Sequence, residues 1–106
     1  MIRVIGFYKW QDGASFDHEY YHSKHMQITK EALLPHGLIR LESEQFLSES
    51  QPASGDIIAA SNAYFANIES AQAALANAGA TLLADTPNYT SLQPEIKVAA
   101  VTAHEL

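Results

Sequence analysis

Residues 16–25 read FDHEYYHSKH, which puts three histidines and two adjacent tyrosines within ten positions. Imidazole changes charge near neutrality, so it serves as a metal ligand or as a general acid–base. A phenol beside it can donate a hydrogen bond to a carbonyl or enolate oxygen. His18, His22 and His25 fall at i, i+4 and i+7. Two histidines four apart on a helix can share one zinc ion, but the third lies about 10 Å along the axis from the first, too far for the same ion. Glu19, which would have to act in a zinc-hydrolase pattern, falls on the opposite half of the helix. No metal is expected, and His18 and His22 read as boundary residues. His25 and Tyr21, one turn apart on the inward half, are the candidate catalytic pair. A buried histidine beside a tyrosine is also an ordinary satisfied core residue, and these positions alone leave both readings open.

The elements that must position this pair follow from hydrophobic periodicity. Residues 2–10, IRVIGFYKW, are β-branched and aromatic and are followed by the turn-like QDG, which predicts a strand. Its Ile5 and Phe7 share one face, and Val4, Gly6 and Tyr8 the other. A helix follows over 16–34, capped by Ser15 or Asp17 and ended by Pro35-His36-Gly37. Residues 38–47 form a second strand, with Arg40, Glu42 and Glu44 charged on one side in the manner of an edge. Residues 56–66 form a third, with Asn62 and Tyr64 on a common face. Asn67 caps a second helix from Ile68 to Ala78, where Gly79 interrupts it, and a turn or two of helix continues before TPNYTS. Residues 95–103 close the series. Tyr8, Asn62 and Tyr64 can supply hydrogen bonds if they share a cavity with His25, and Trp10 and Phe16 can wall its mouth. Ordinary core packing accounts equally for the two aromatics.

The order β-α-β-β-α-β, with right-handed crossovers, puts both helices on one face of a four-stranded antiparallel sheet, the ferredoxin-like α+β arrangement. Strands one, three and four are largely apolar on both sides, so the uncovered face is expected to be an apolar patch. A homodimer packing sheet on sheet would bury it.

Composition limits the partners. The chain has 106 residues, enough for one domain spanning 1–106. It is 47% hydrophobic and 17% charged, with a formal charge of −6 and no basic stripe of the kind nucleic acid requires. No apolar run reaches membrane-spanning length and no signal-peptide pattern opens the chain, so neither membrane nor nucleic acid is an expected partner. Without cysteine there is no thiolate chemistry or disulfide framework, which fits a reducing cytoplasm.

Two stretches carry a family resemblance. The run SFDHEYYHSKHM, after a strand ending FYKW, is similar to the first signature of the EthD family, named for ethyl tert-butyl ether degradation. There a Phe-Asp-x-x-Tyr-Tyr segment opens the first helix and His-Met-Pro-Leu follows. Phe16, Asp17, Tyr20, Tyr21, His25 and Met26 match, whereas Gln27-Ile28 stands where the family has Pro-Leu, altering helix stiffness and polarity beside His25. The later LLADTPNYTSLQPEIKV resembles the second signature in Ala84, Asp85, Pro87, Asn88, Tyr89 and Thr90. The resemblance covers nearly the whole chain. It implies a dimeric α+β barrel, agreeing with the two-sided strands, and it supports His25 and Tyr21 as residues lining a pocket between helices and sheet.

Two functions are expected to compete. One is a cofactor-independent acid–base enzyme of cyclase, dehydratase or monooxygenase type, acting on a small apolar compound that bears a carbonyl or phenol. The other is a non-catalytic protein that binds a small hydrophobic ligand or assists a partner oxygenase in xenobiotic degradation. Haem ligation through His22 or His25 is a third reading; neither of the first two calls for a cofactor.

Overall fold

Alternation of β-branched and aromatic residues makes Ile2–Lys9 a strand, β1, and it becomes the centre of the sheet. The computed structural model describes residues 1–106. The other strands are β2 (Arg40–Gln45), β3 (Ile57–Phe65) and β4 (Glu95–Ala100), in the spatial order β2-β3-β1-β4, and every pairing is antiparallel. This is the expected ferredoxin-like α+β topology. The strand ends are shorter than their composition suggests. β4 stops at Ala100 because its partner β1 begins at Ile2, and only the Val101 amide continues, donating to the Met1 carbonyl at 2.8 Å.

The helical run after β1 is interrupted internally. It consists of α1 (His18–Tyr20), a π turn (Tyr21–His25), α2 (Met26–Leu33) and a closing 3-10 turn (Leu34–His36). Asp17 is the N-cap, its carboxylate accepting from the Tyr20 amide at 3.1 Å. Gly37, at φ 89°, ends the run in the left-handed conformation that suits glycine.

α3 (Ile68–Asp85) is capped by Asn67, whose side chain accepts from the Ser70 amide at 2.9 Å. It passes through Gly79 unbroken, contrary to the expected interruption. A helical glycine costs only about 1 kcal/mol. Ala71, Ala74 and Ala78, all buried, keep the helix flat against the sheet across that point. The alanines are small enough to let the two layers close around Val4, Leu33, Ala63 and Phe65.

Register decides which strand residues face the helices. Val4 pairs with Ala63 and Val98, and Gly6 with Ser61 and Ile96. Even positions of β1 and odd positions of most of β3 therefore point toward the helices. Asn62 pairs with Ile5, and Tyr64 with Arg3, so both point to the opposite face and do not share a cavity with His25. There the Asn62 amide donates to Glu44 and the Tyr64 hydroxyl donates to Glu42 at 3.0 Å.

That uncovered face also differs from the apolar patch expected of it. Half-buried Ile5 lies at its centre beside Phe7 and Ala60, which are already buried within the chain, and Arg3, Asn62, Tyr64, Glu42, Glu44 and Lys97 border them. Composition counts apolar residues along each strand, whereas register gathers β2's charges beside β3's polar ones. No helix is long and apolar enough to cross a membrane.

Candidate functional site

The π turn spreads five residues over a single wide turn, and its two ends are its two buried residues, Tyr21 and His25. Their rings stack at a centroid distance of 5.5 Å and an interplanar angle of 16°. Such turns are uncommon and recur at functional sites. Tyr21 is 1% exposed and its hydroxyl has no hydrogen-bond partner; Ser61 is near it but not in bonding geometry. Burial pushes the phenol well above its ordinary pKa, so it stays protonated and able to donate.

His25 is held from outside its own helix. Its Nδ1 lies 2.8 Å from Oδ2 of Asp85, the last residue of α3, and both side chains are buried. The other oxygen, Oδ1, accepts from the Tyr20 hydroxyl at 2.8 Å and from the Asn88 amide at 2.9 Å. Burial alone would raise the Asp85 pKa, but the hydrogen bonds from Asn88, His25 and Tyr20 outweigh it and hold the carboxyl below the usual range. An ionised carboxylate only accepts. Nδ1 therefore carries the ring proton, and Nε2 presents a lone pair.

That lone pair faces Tyr89, whose hydroxyl lies 3.3 Å from Nε2, and the Tyr8 hydroxyl bonds in turn to that of Tyr89. With Nδ1 as the protonated nitrogen, the bonds run in one direction: Tyr8 donates to Tyr89, Tyr89 to His25, and His25 to Asp85. Burial raises the pKa of both phenols, and the Tyr89 bond raises that of Tyr8 further. All three tyrosines are neutral donors at neutral pH.

Tyr8, Tyr21 and His25 line one cavity of about 150 Å³ between helices and sheet. The first helical run and the central strands supply its polar side, with Thr29 and Ser61 beside these three. α3 and β4 supply an apolar side of Leu75, Gly79, Leu82, Leu83 and Ile96. Leu83 and Ile96 are more than half exposed and form the mouth.

Trp10 and Phe16 are not at that mouth. Trp10 leaves the sheet, where its backbone bonds to Asp56 and Gly55, and Phe16 makes edge contacts with Tyr8 and Tyr21 at 5.1 and 5.2 Å, behind the cavity. A backbone bridge from Phe16 to Thr90 keeps it there.

His18 and His22 lie outside the cavity, half-buried, with rings stacked in parallel at 5.8 Å, and His22 Nδ1 bonds to Ser43 at 2.8 Å. Burial lowers the pKa of both. No group of three or more acidic, histidine or cysteine side chains is arranged to hold a metal. Both ring nitrogens of His25 have protein partners.

Periodicity and spacing do not mark Asp85, Tyr89, Tyr20 and Asn88 as site residues. Three of them lie in the second signature stretch, 60 or more positions from His25, and Tyr20 fell on the half of the helix read as solvent-facing. The signal available was the polar run Asp85-Thr86-Pro87-Asn88-Tyr89 directly after a helix.

No protein-family model and no curated protein matches the chain. Solved structures do. An EthD-like protein from Ralstonia eutropha is 28% identical with a TM-score of 0.80, over 98% of this chain and 94% of that one. An EthD family protein from Bacillus halodurans, at 16% identity and a TM-score of 0.65, covers 96% of this chain and 99% of its own. A dimeric ferredoxin-like protein from an uncultured marine organism, at 13% identity and a TM-score of 0.57, aligns over 100% of this chain and 99% of its own. The last two share the fold.

Proposed function

We propose that this chain, an EthD-like protein of ferredoxin-like α+β fold, is an acid–base enzyme that moves a proton on a small, mostly apolar compound bearing a carbonyl or phenol. The observation that carries this reading is the buried Asp85–His25 pair, whose second ring nitrogen connects through Tyr89 to Tyr8 at the cavity wall. A buried carboxylate that orients an imidazole and stabilises its cation is a recurrent way of making a base near neutral pH.

The steps balance without a co-reactant. A ligand C–H beside a carbonyl, or a phenolic O–H, gives its proton to the Tyr8 oxygen. Tyr8 passes its own proton to Tyr89, and Tyr89 passes its proton to Nε2. The ligand becomes an enolate or phenolate, and His25 becomes an imidazolium facing the Asp85 carboxylate. Tyr21 donates a hydrogen bond to the new oxyanion. Reversal of the chain returns the proton to a different atom, which is the common first half of cyclisation, dehydration and isomerisation.

We infer further that the chain works as a homodimer, with the two uncovered sheet faces packed together. An apolar centre with a polar rim is the anatomy of a specific interface. The buried Nε of Arg3 on that face has no partner within the chain.

The test is deuterium exchange at the α-carbon of cyclohexanone in heavy water, followed by NMR. Wild type is expected to accelerate exchange. His25→Ala, Asp85→Asn and Tyr89→Phe should each lose about a hundred- to ten-thousand-fold of that acceleration with unchanged circular dichroism. Full activity in Tyr89→Phe would show that the imidazole acts directly rather than through the tyrosines. If cyclohexanone binds and exchanges no faster than in buffer, the protein is a binding or accessory module instead.

A further inference from the structure

The cavity narrows the ligand beyond "small and apolar". We propose that the site takes a single six-membered ring carrying one oxygen function and one small alkyl group. The role of the oxygen rests on the acid–base reading above; the size and shape do not. A cavity of about 150 Å³ is the volume at which an apolar protein chamber takes up one benzene ring. Inside it the Tyr21 hydroxyl, 1% exposed, lacks a partner. Buried hydroxyls are seldom left unpaired, and a ligand oxygen lying against the polar wall supplies the missing acceptor.

The alkyl group is assigned by a smaller chamber of about 70 Å³ that continues the first and shares Gly6, Thr29, Ser61, Leu75, Leu82 and Ile96 with it. Its other walls are nearly all apolar, Val4, Phe65 and Ala74 among them, so a water there would find few partners while a methyl group fits.

Two glycines shape this space. A Cβ at Gly79, inside α3 and on the cavity wall, would meet nothing within 4 Å; the open volume beside it is where the ring lies. A Cβ at Gly6 would come within 3.3 Å of Ser61 Oγ and 3.5 Å of Ile96 Cδ1, narrowing the region the two chambers share.

Calorimetric titration with phenol, the three methylphenols, 4-tert-butylphenol and 2-naphthol tests this on the purified protein. At least one methylphenol should bind about fourfold tighter than phenol, the gain for one further buried methyl. The tert-butyl and two-ring compounds should bind at least tenfold more weakly than that isomer. Gly6→Ala should erase the methyl gain, and Gly79→Leu should abolish binding of every ring. Should the leucine variant fail to fold, the wild-type series decides alone. The proposal is overturned if phenol does not bind, if no methyl isomer gains, or if naphthol binds as well as phenol. Size-selective binding without proton exchange would defeat the catalytic reading only, and exchange without size selectivity would defeat this one only.

Discussion

Asp85 fixes the tautomer of the buried His25, and it does so from the end of another helix. The same carboxylate links pH to stability. Its folded pKa lies below its unfolded value, so its contribution is present above about pH 4 and lost as pH falls through the lower folded value. His18 and His22 act in the same direction at higher pH. Burial, their first cause, favours the neutral rings, so stability is full above about pH 6.5 and declines as pH falls through their lowered folded values. Thermal unfolding should therefore weaken in two stages on acidification. Circular dichroism melts across pH 2–8 would check this. Asp85→Asn should diminish the acid stage, to which Glu42, held low by hydrogen bonds from Tyr64 and Arg40, also contributes, and a double His18→Gln, His22→Asn variant should flatten the stage below about pH 6.5. A single stage unaltered by either variant would contradict the assignment.

At the scale of elements, the π turn and the helical glycine both trade regularity for the site. Helical periodicity at 3.6 residues per turn correctly put Tyr21 and His25 on the inward half of the first helical run. It misplaced Tyr20, because a wider turn changes which neighbours reach α3, and Tyr20 reaches Asp85. Gly79 lies where alanine would serve the helix better and would meet no neighbour. Gly79→Ala is expected to stabilise the fold by about 0.5–1 kcal/mol while weakening phenol binding, because its methyl occupies ring space. Denaturant unfolding and calorimetry on the same samples would measure both. A gain in stability with unchanged affinity would place the ring elsewhere.

The whole molecule presents one sheet face covered by the helices, which holds the cavity, and an opposite face with half-buried Ile5 at its centre and a border of charges. If two copies meet there, Ile5→Glu puts an unpaired carboxylate into the apolar centre and should shift the mass in sedimentation analysis from dimer to monomer. Circular dichroism should stay unchanged, since the mutated side chain faces away from the helices. A dimer that survives the substitution would locate the interface at another surface.

Local chemistry was enough to show the four strands, the two helical regions, their ferredoxin-like order, and Tyr21 and His25 as the inward pair. These follow from periodicity and capping, which act over a few residues, together with the steric rule for crossovers. The partners of His25 were decided only by tertiary structure. Asp85 and Tyr89 lie 60 and 64 positions away, and nothing local dictates that the end of α3 meets the π turn. Strand register likewise sent Asn62 and Tyr64 to the opposite face from Tyr8, because a side-chain period of two makes the face depend on which residues pair. In FDHEYYHSKH the sequence shows the inward histidine, and the fold supplies the carboxylate and phenol that hold its two nitrogens.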